Sequence, residues 1–159
     1  MPEKKYEHLV GNFVHFPRVI ERGTQPREIE DAKVFVSHVD GRNVKATIVT
    51  GYKDYHYEWE IPEGVEPKVL DPAKLSPAHR ELLQRERKLL NHDQLVALSE
   101  RISHEGGLLG WMKEHGIELS KKDESMLKHL SLLSDETVLN ALKKAKEKGL
   151  VDRYWETKL

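Results

Sequence analysis

Cysteine is absent from the 159-residue chain. That excludes a disulfide framework and thiol chemistry. The N-terminus, Met1-Pro2-Glu3-Lys4-Lys5, also lacks the basic-then-apolar pattern of an export signal, and together these features lead to the expectation of a cytoplasmic protein. Proline is absent after Pro77: all seven lie at or before it, so the last ~80 residues hold no helix breaker of that kind. No apolar run approaches the roughly 20 residues that a membrane span needs, and no membrane partner is expected. Charge of one sign is lacking too. With 26 basic and 27 acidic residues the net charge is -1, which argues against wholesale attraction to nucleic acid or acidic membranes and leaves any such role to local clusters. There is no Gly-x-Ser-x-Gly elbow and no phosphate-cradling glycine loop.

What is present changes abruptly between Pro72 and Pro77. Before Ala73 there are two Leu against fourteen Val and Ile; from Ala73 onward there are eighteen against five. A β-branched, aromatic half gives way to a leucine-rich one, so sheet is expected first and helices second.

In the first half, Asp40-Gly41 separates two alternating apolar runs and suits a two-residue hairpin turn. Such a turn places Phe35 opposite Ala46 and Ser37 opposite Val44, with Phe35, Val39, Val44, Ala46 and Ile48 on one face. A four-residue loop at Gly51 to Asp54 then sets Tyr57 opposite Ile48, Trp59 opposite Ala46 and Lys45 opposite Glu60. Val34, Val36, Thr47, Val49, His56 and Glu58 fall on the other face. Phe13 to Ile20 reads as a further strand, which Pro17 pushes to an edge or a bulge. Tyr55, Tyr57 and Trp59 share one face by alternation. Tyr57 and Trp59 are expected to bury against the helices, and Tyr52 and Lys53 to sit at a loop tip.

In the second half, Ser76-Pro77 is a helix start. Leu82, Leu83, Leu89 and Leu90 form the apolar stripe of the first helix. A second helix is expected from Asp93, interrupted at Gly106-Gly107 and stopped by Gly116. Ser120 and Ser134 are N-caps for two more helices, the last closed by Gly149. Pro62 to Pro72 is read as a linker. The fold class is α+β: a small N-terminal antiparallel β-meander, or open barrel, with its linker over residues 1–72, then a bundle of four to five helices over residues 73–159.

Nine His invite a metal reading, but no two stand at a recognised ligand spacing, so no metal and no cofactor are expected. No catalytic constellation is legible. The leading expectation is therefore a non-enzymatic adaptor or regulatory module that binds a protein partner through the sheet edge and the loop carrying Tyr52, Lys53, Tyr55 and His56. A second reading comes from Ser134 to Arg153, which with the preceding segment Asp123 to Leu132 resembles the second half of winged-helix DNA-binding domains. The resemblance implies that the later helix enters the major groove, with Thr137, Asn140, Lys143 and Lys144 toward nucleic acid. The same letters fit a capped amphipathic helix in a bundle; Asp135 and Glu136 put negative charge where phosphate would approach, and too little chain follows Trp155 for a wing. A third reading is a small enzyme whose His and carboxylates converge only in the fold. The oligomeric state is left open.

Overall fold

A computed structural model describes residues 5–49, 53–103, 107–129 and 133–159. Tyr52, His104, Gly106 and Leu130 lie outside the described residues. Within these limits the α+β expectation holds. Five antiparallel strands, β1 (Phe13–Glu21), β2 (Arg27–Asp40), β3 (Asn43–Val49), β4 (Asp54–Glu60) and β5 (Lys68–Val69), precede four helices, α1 (Pro77–Ile102), α2 (Gly107–Glu114), α3 (Lys121–Leu127) and α4 (Asp135–Glu147). By compactness the chain divides into two units, residues 1–86 with 157–159, and residues 87–156, so the division falls inside α1.

In the first unit the strand pairing returns on itself. β1 pairs with β2, β2 with β3, β3 with β4, and the end of β4 meets β1 again through Ile20–Glu60 and Glu21–Trp59. The interior of this ring is a core of its own, with Val14, Phe16, Val19, Val34, Val36, Val44, Ala46, Trp59 and Ile61 all buried. Each of the Val, Ile and Phe side chains among them contributes about 1.5–3 kcal/mol by leaving water. Trp59 and Tyr57 therefore bury inside the sheet, not against helices as expected. Trp59 meets Phe16 edge-on, with ring centroids 6.4 Å apart.

The register differs from the expected one for two physical reasons. The turn is Gly41-Arg42, flanked by the pair Asp40–Asn43, because Gly41 takes the positive φ of 61° at the first turn position and Arg42 needs none. A bulge then falls between Val36 and His38. The extra residue, Ser37, switches the alternation, so Val36 and Val39 both face inward while Phe35 faces outward beside Thr47. Val34 and Val36 thus belong to the core and not to the mixed outer surface. In the next hairpin Ile48 faces Tyr55, Ala46 faces Tyr57, Val44 faces Trp59 and Lys45 faces Glu58. That is a shift of two residues from the expected register. An even shift keeps every side chain on its face, so Tyr55, Tyr57 and Trp59 still share one.

Pro17 tests the edge-or-bulge expectation locally. It falls between the β5 and β4 partners of β1, where that side of the strand has no neighbour among the described residues, and no Cα pair joins it to Asp31. Asp31 takes a left-handed φ of 55°, and its carboxylate meets His15 Nε2 at 2.5 Å. The segment read as a linker is partly sheet: β5 pairs Val14–Val69 and His15–Lys68 with β1.

The outward face of β1 to β3 carries Phe13, Phe35 and Thr47, all buried. The first turns of α1, in the same unit, supply Leu82 and Leu83, also buried, and stack His79 on Phe13 with centroids 4.6 Å apart. Leu89 is 53% exposed, so the leucine stripe is narrower than expected.

In the second unit α1 runs unbroken through Asp93 instead of restarting there. Asn91, inside this continuous helix, is fully buried and its amide serves the tail, Nδ2 donating to the Trp155 carbonyl at 3.1 Å and Oδ1 accepting the Trp155 amide at 3.5 Å. Arg87 likewise donates to the Glu156 carbonyl at 2.9 Å. Burial lowers its pKa from the ordinary arginine value, with the Glu156 charge opposing. The expected caps are present. Ser120 accepts the Asp123 amide and Ser134 the Thr137 amide, while Gly116 and Gly149 each take a φ of 73° after their helices.

Candidate functional site

Asp54 to Tyr57 on β4 form an open stretch of the ring's hydrogen-bonding edge in which Asp54 is the only carboxylate, lysine or arginine. β4 pairs with β3 along its whole length, yet its second side meets a strand only at Trp59 and Glu60. Among the described residues, Asp54 to Tyr57 thus have no strand on that side. β2 has a similar open flank from Arg27 to Val34, but five of the first seven residues there are charged (Arg27, Glu28, Glu30, Asp31 and Lys33), the usual protection of an edge against pairing. The β4 stretch reads Asp-Tyr-His-Tyr and has far less of it.

The aromatic residues grade outward along this strand. Trp59 is fully buried, Tyr57 half-buried and Tyr55 38% exposed. Successive rings lie 5.8 and 6.2 Å apart at shallow interplanar angles. Lys53 Nζ stands 4.9 Å over the Tyr55 ring, a cation–π contact. On the opposite face the exposed His56 is held through Nδ1 by the Thr47 hydroxyl at 3.1 Å. Asp54 is anchored by an ion pair with Arg85 of α1. Of the four residues expected to form this surface, Lys53, Tyr55 and His56 are brought to one end of β4, and Tyr52 lies outside the described residues.

The C-terminal pair is built differently from the winged-helix expectation. Thr137 is 1% exposed, and its hydroxyl donates to the Asp123 carboxylate at 3.0 Å. It therefore joins the N-termini of α3 and α4 and does not face outward. Asn140 is half-buried, Lys144 donates to the Glu118 carbonyl, and Lys143 alone of the four is exposed. No strand follows α4 among the described residues.

A concavity built from residues distant in sequence lies elsewhere in the first unit. The pairing sets His15 between Lys33 on β2 and Lys68 on β5. Lys33 and Lys68, together with Lys74 and His79, line a pocket of about 460 Å³, whose wall includes Ser76, the residue that opens α1 by accepting the His79 amide at 3.2 Å. The positions are 35 residues and more apart in places, so only the non-local pairing of β1 with β2 and β5 reveals them.

Among the described residues no group of three or more His, Asp or Glu is placed to hold a metal ion, and no helix is long and apolar enough to cross a membrane. Comparison with protein-family models, with characterised proteins and with solved structures gives no match for this chain.

Proposed function

We propose that this protein is a non-enzymatic interaction module that docks an extended segment of a protein partner on the Lys53 to Tyr57 end of β4. The observation that carries this reading is the open edge from Asp54 to Tyr57, free of a strand neighbour among the described residues and poor in guarding charge. An added strand would meet the unpaired backbone donors and acceptors there, each bond worth about 0.5–1.5 kcal/mol net. The alternating side chains would then read the partner's sequence, with Tyr55 and Tyr57 on one face and His56 and Glu58 on the other. Tyr55 is the natural anchor, as an exposed aromatic already ordered by Lys53 and Tyr57.

Selection of displayed peptides against the full chain tests the reading. Peptides with alternating apolar residues are expected to emerge, and to lose about tenfold or more in affinity against Tyr55→Ala, an aromatic truncation worth roughly 2 kcal/mol. Failure to select any peptide, or selected peptides indifferent to Tyr55→Ala and to His56→Pro, would count against it.

A further inference from the structure

The outward face of the first unit gathers positive charge where the fold gains nothing from it. Lys33 and Lys68 stand on either side of His15 on one rung of three neighbouring strands. Lys74 comes from the short turn before α1 and His79 from the first turn of α1. His15 has its own partner in the Asp31 carboxylate at 2.5 Å. The one acid in the pocket wall, Asp71, already holds the Ala73 amide at 3.0 Å. Among the described residues Lys33, Lys68 and Lys74 have no carboxylate partner. Yet residues 1–72 hold thirteen acidic side chains against ten basic ones, so carboxylates were not scarce.

We propose that this pocket binds a phosphorylated small molecule, with its phosphate group among Lys33, Lys68 and Lys74. Three unpaired ammonium groups match an anion of more than one charge, and a lone carboxylate would leave most of their charge unanswered. Lysine suits such a role because it binds phosphate as a point charge without demanding one orientation. Beside Asp71, Ser76 and His79 the wall has an apolar part, Val69, 38% exposed, with Leu70 and Leu75, a surface for the organic body of the ligand. The walls are also fixed in place. Arg80 Nη2 donates to the Ala73 carbonyl at 3.0 Å, pinning the turn that carries Lys74, and the Phe13 stack holds His79. This site uses residues remote in the strand pattern from the β4 edge and stands independently of the docking role.

The probe is pyrophosphate, titrated calorimetrically into the full chain. It is expected to bind saturably and to weaken as salt rises past about 0.1 M, where the screening length falls to about 10 Å. The double variant Lys33→Gln/Lys68→Gln is expected to lose at least about tenfold in affinity, while Lys45→Gln, on the same sheet but outside the pocket, binds as the parent does. Because neither lysine has a carboxylate partner among the described residues, the double substitution breaks no ion pair and is expected to melt close to the parent. Lys74→Gln, outside the sheet, reports in the same direction even where the double variant fails to fold. No saturable binding at millimolar pyrophosphate overturns the proposal, and so does an equal loss in Lys45→Gln, which would reduce the effect to general surface charge.

Discussion

Replacing Thr137 by Val removes one hydroxyl from the junction of α3 and α4 and leaves its shape nearly intact. That hydroxyl donates to Asp123 at 3.0 Å and lies 2.9 Å from the Ser134 hydroxyl, while the Thr137 amide donates to Ser134 at 3.2 Å. Thr137 is 1% and Asp123 9% exposed, so water does not readily replace the lost donor. A hydrogen bond to a charged group contributes about 1.5–3 kcal/mol, and a β-branched isostere neither opens a cavity nor changes helix propensity appreciably. The expected loss is about 2 kcal/mol, with the amide cap on Ser134 retained. Urea denaturation read by circular dichroism, with Trp111 and Trp155 emission reporting the second unit, measures it. The midpoint should fall with an unchanged m-value. In a double-mutant cycle with Asp123→Ala the two sites should couple by about 1 kcal/mol or more. A loss below about 0.5 kcal/mol, or no coupling, would refute the inference that this bond ties the two helix N-termini together.

Other substitutions probe other parts of the account. Trp59 Nε1 is buried without a hydrogen-bond partner among the described residues, so Trp59→Phe discards an unsatisfied donor and should cost under about 1.5 kcal/mol, against about 3–5 kcal/mol for Trp59→Ala; equal losses in thermal melts would deny that the donor is orphaned. Asp31 holds φ at 55°, so Asp31→Val should cost about 1–2 kcal/mol more than Asp31→Gly, both lacking the His15 contact; parity between them would argue against the left-handed backbone there. Because Thr137 is internal and Lys144 is engaged by Glu118, duplex DNA should show no steeply salt-dependent binding that Lys143→Gln abolishes. A strong, Lys143-dependent titration would restore the winged-helix resemblance.

Much of the local structure was legible in the sequence because local chemistry decides it. Ser120 and Ser134 cap their helices, and Gly149 ends the last one, for reasons contained within a few residues. Strand alternation likewise put Tyr55, Tyr57 and Trp59 on one face, and an even register error could not disturb that. What escaped depended on distant partners. The bulge at Ser37 reverses which of Phe35 and Val36 meets the core, and no residue nearby announces it. Asp93 carries a helix-start signal, yet α1 runs through it, and the bond of nearby Asn91 is to Trp155, 64 positions away. The candidate surfaces divide in the same way. Lys53, Tyr55 and His56 are neighbours in sequence and were found together. The openness of their edge, and the convergence of Lys33, Lys68 and Lys74, are properties of the ring closure and of β5.

Hydrogen exchange at β4 tests the central claim most directly. In the free protein, alternate amides between Asp54 and Tyr57, those turned away from β3, should exchange rapidly while their neighbours bonded to β3 are protected. Adding a selected peptide should protect the rapid set and leave the rest unchanged. If every amide of this stretch is already slow in the free protein, or if a bound peptide leaves the rapid set unprotected, the edge is not the docking surface.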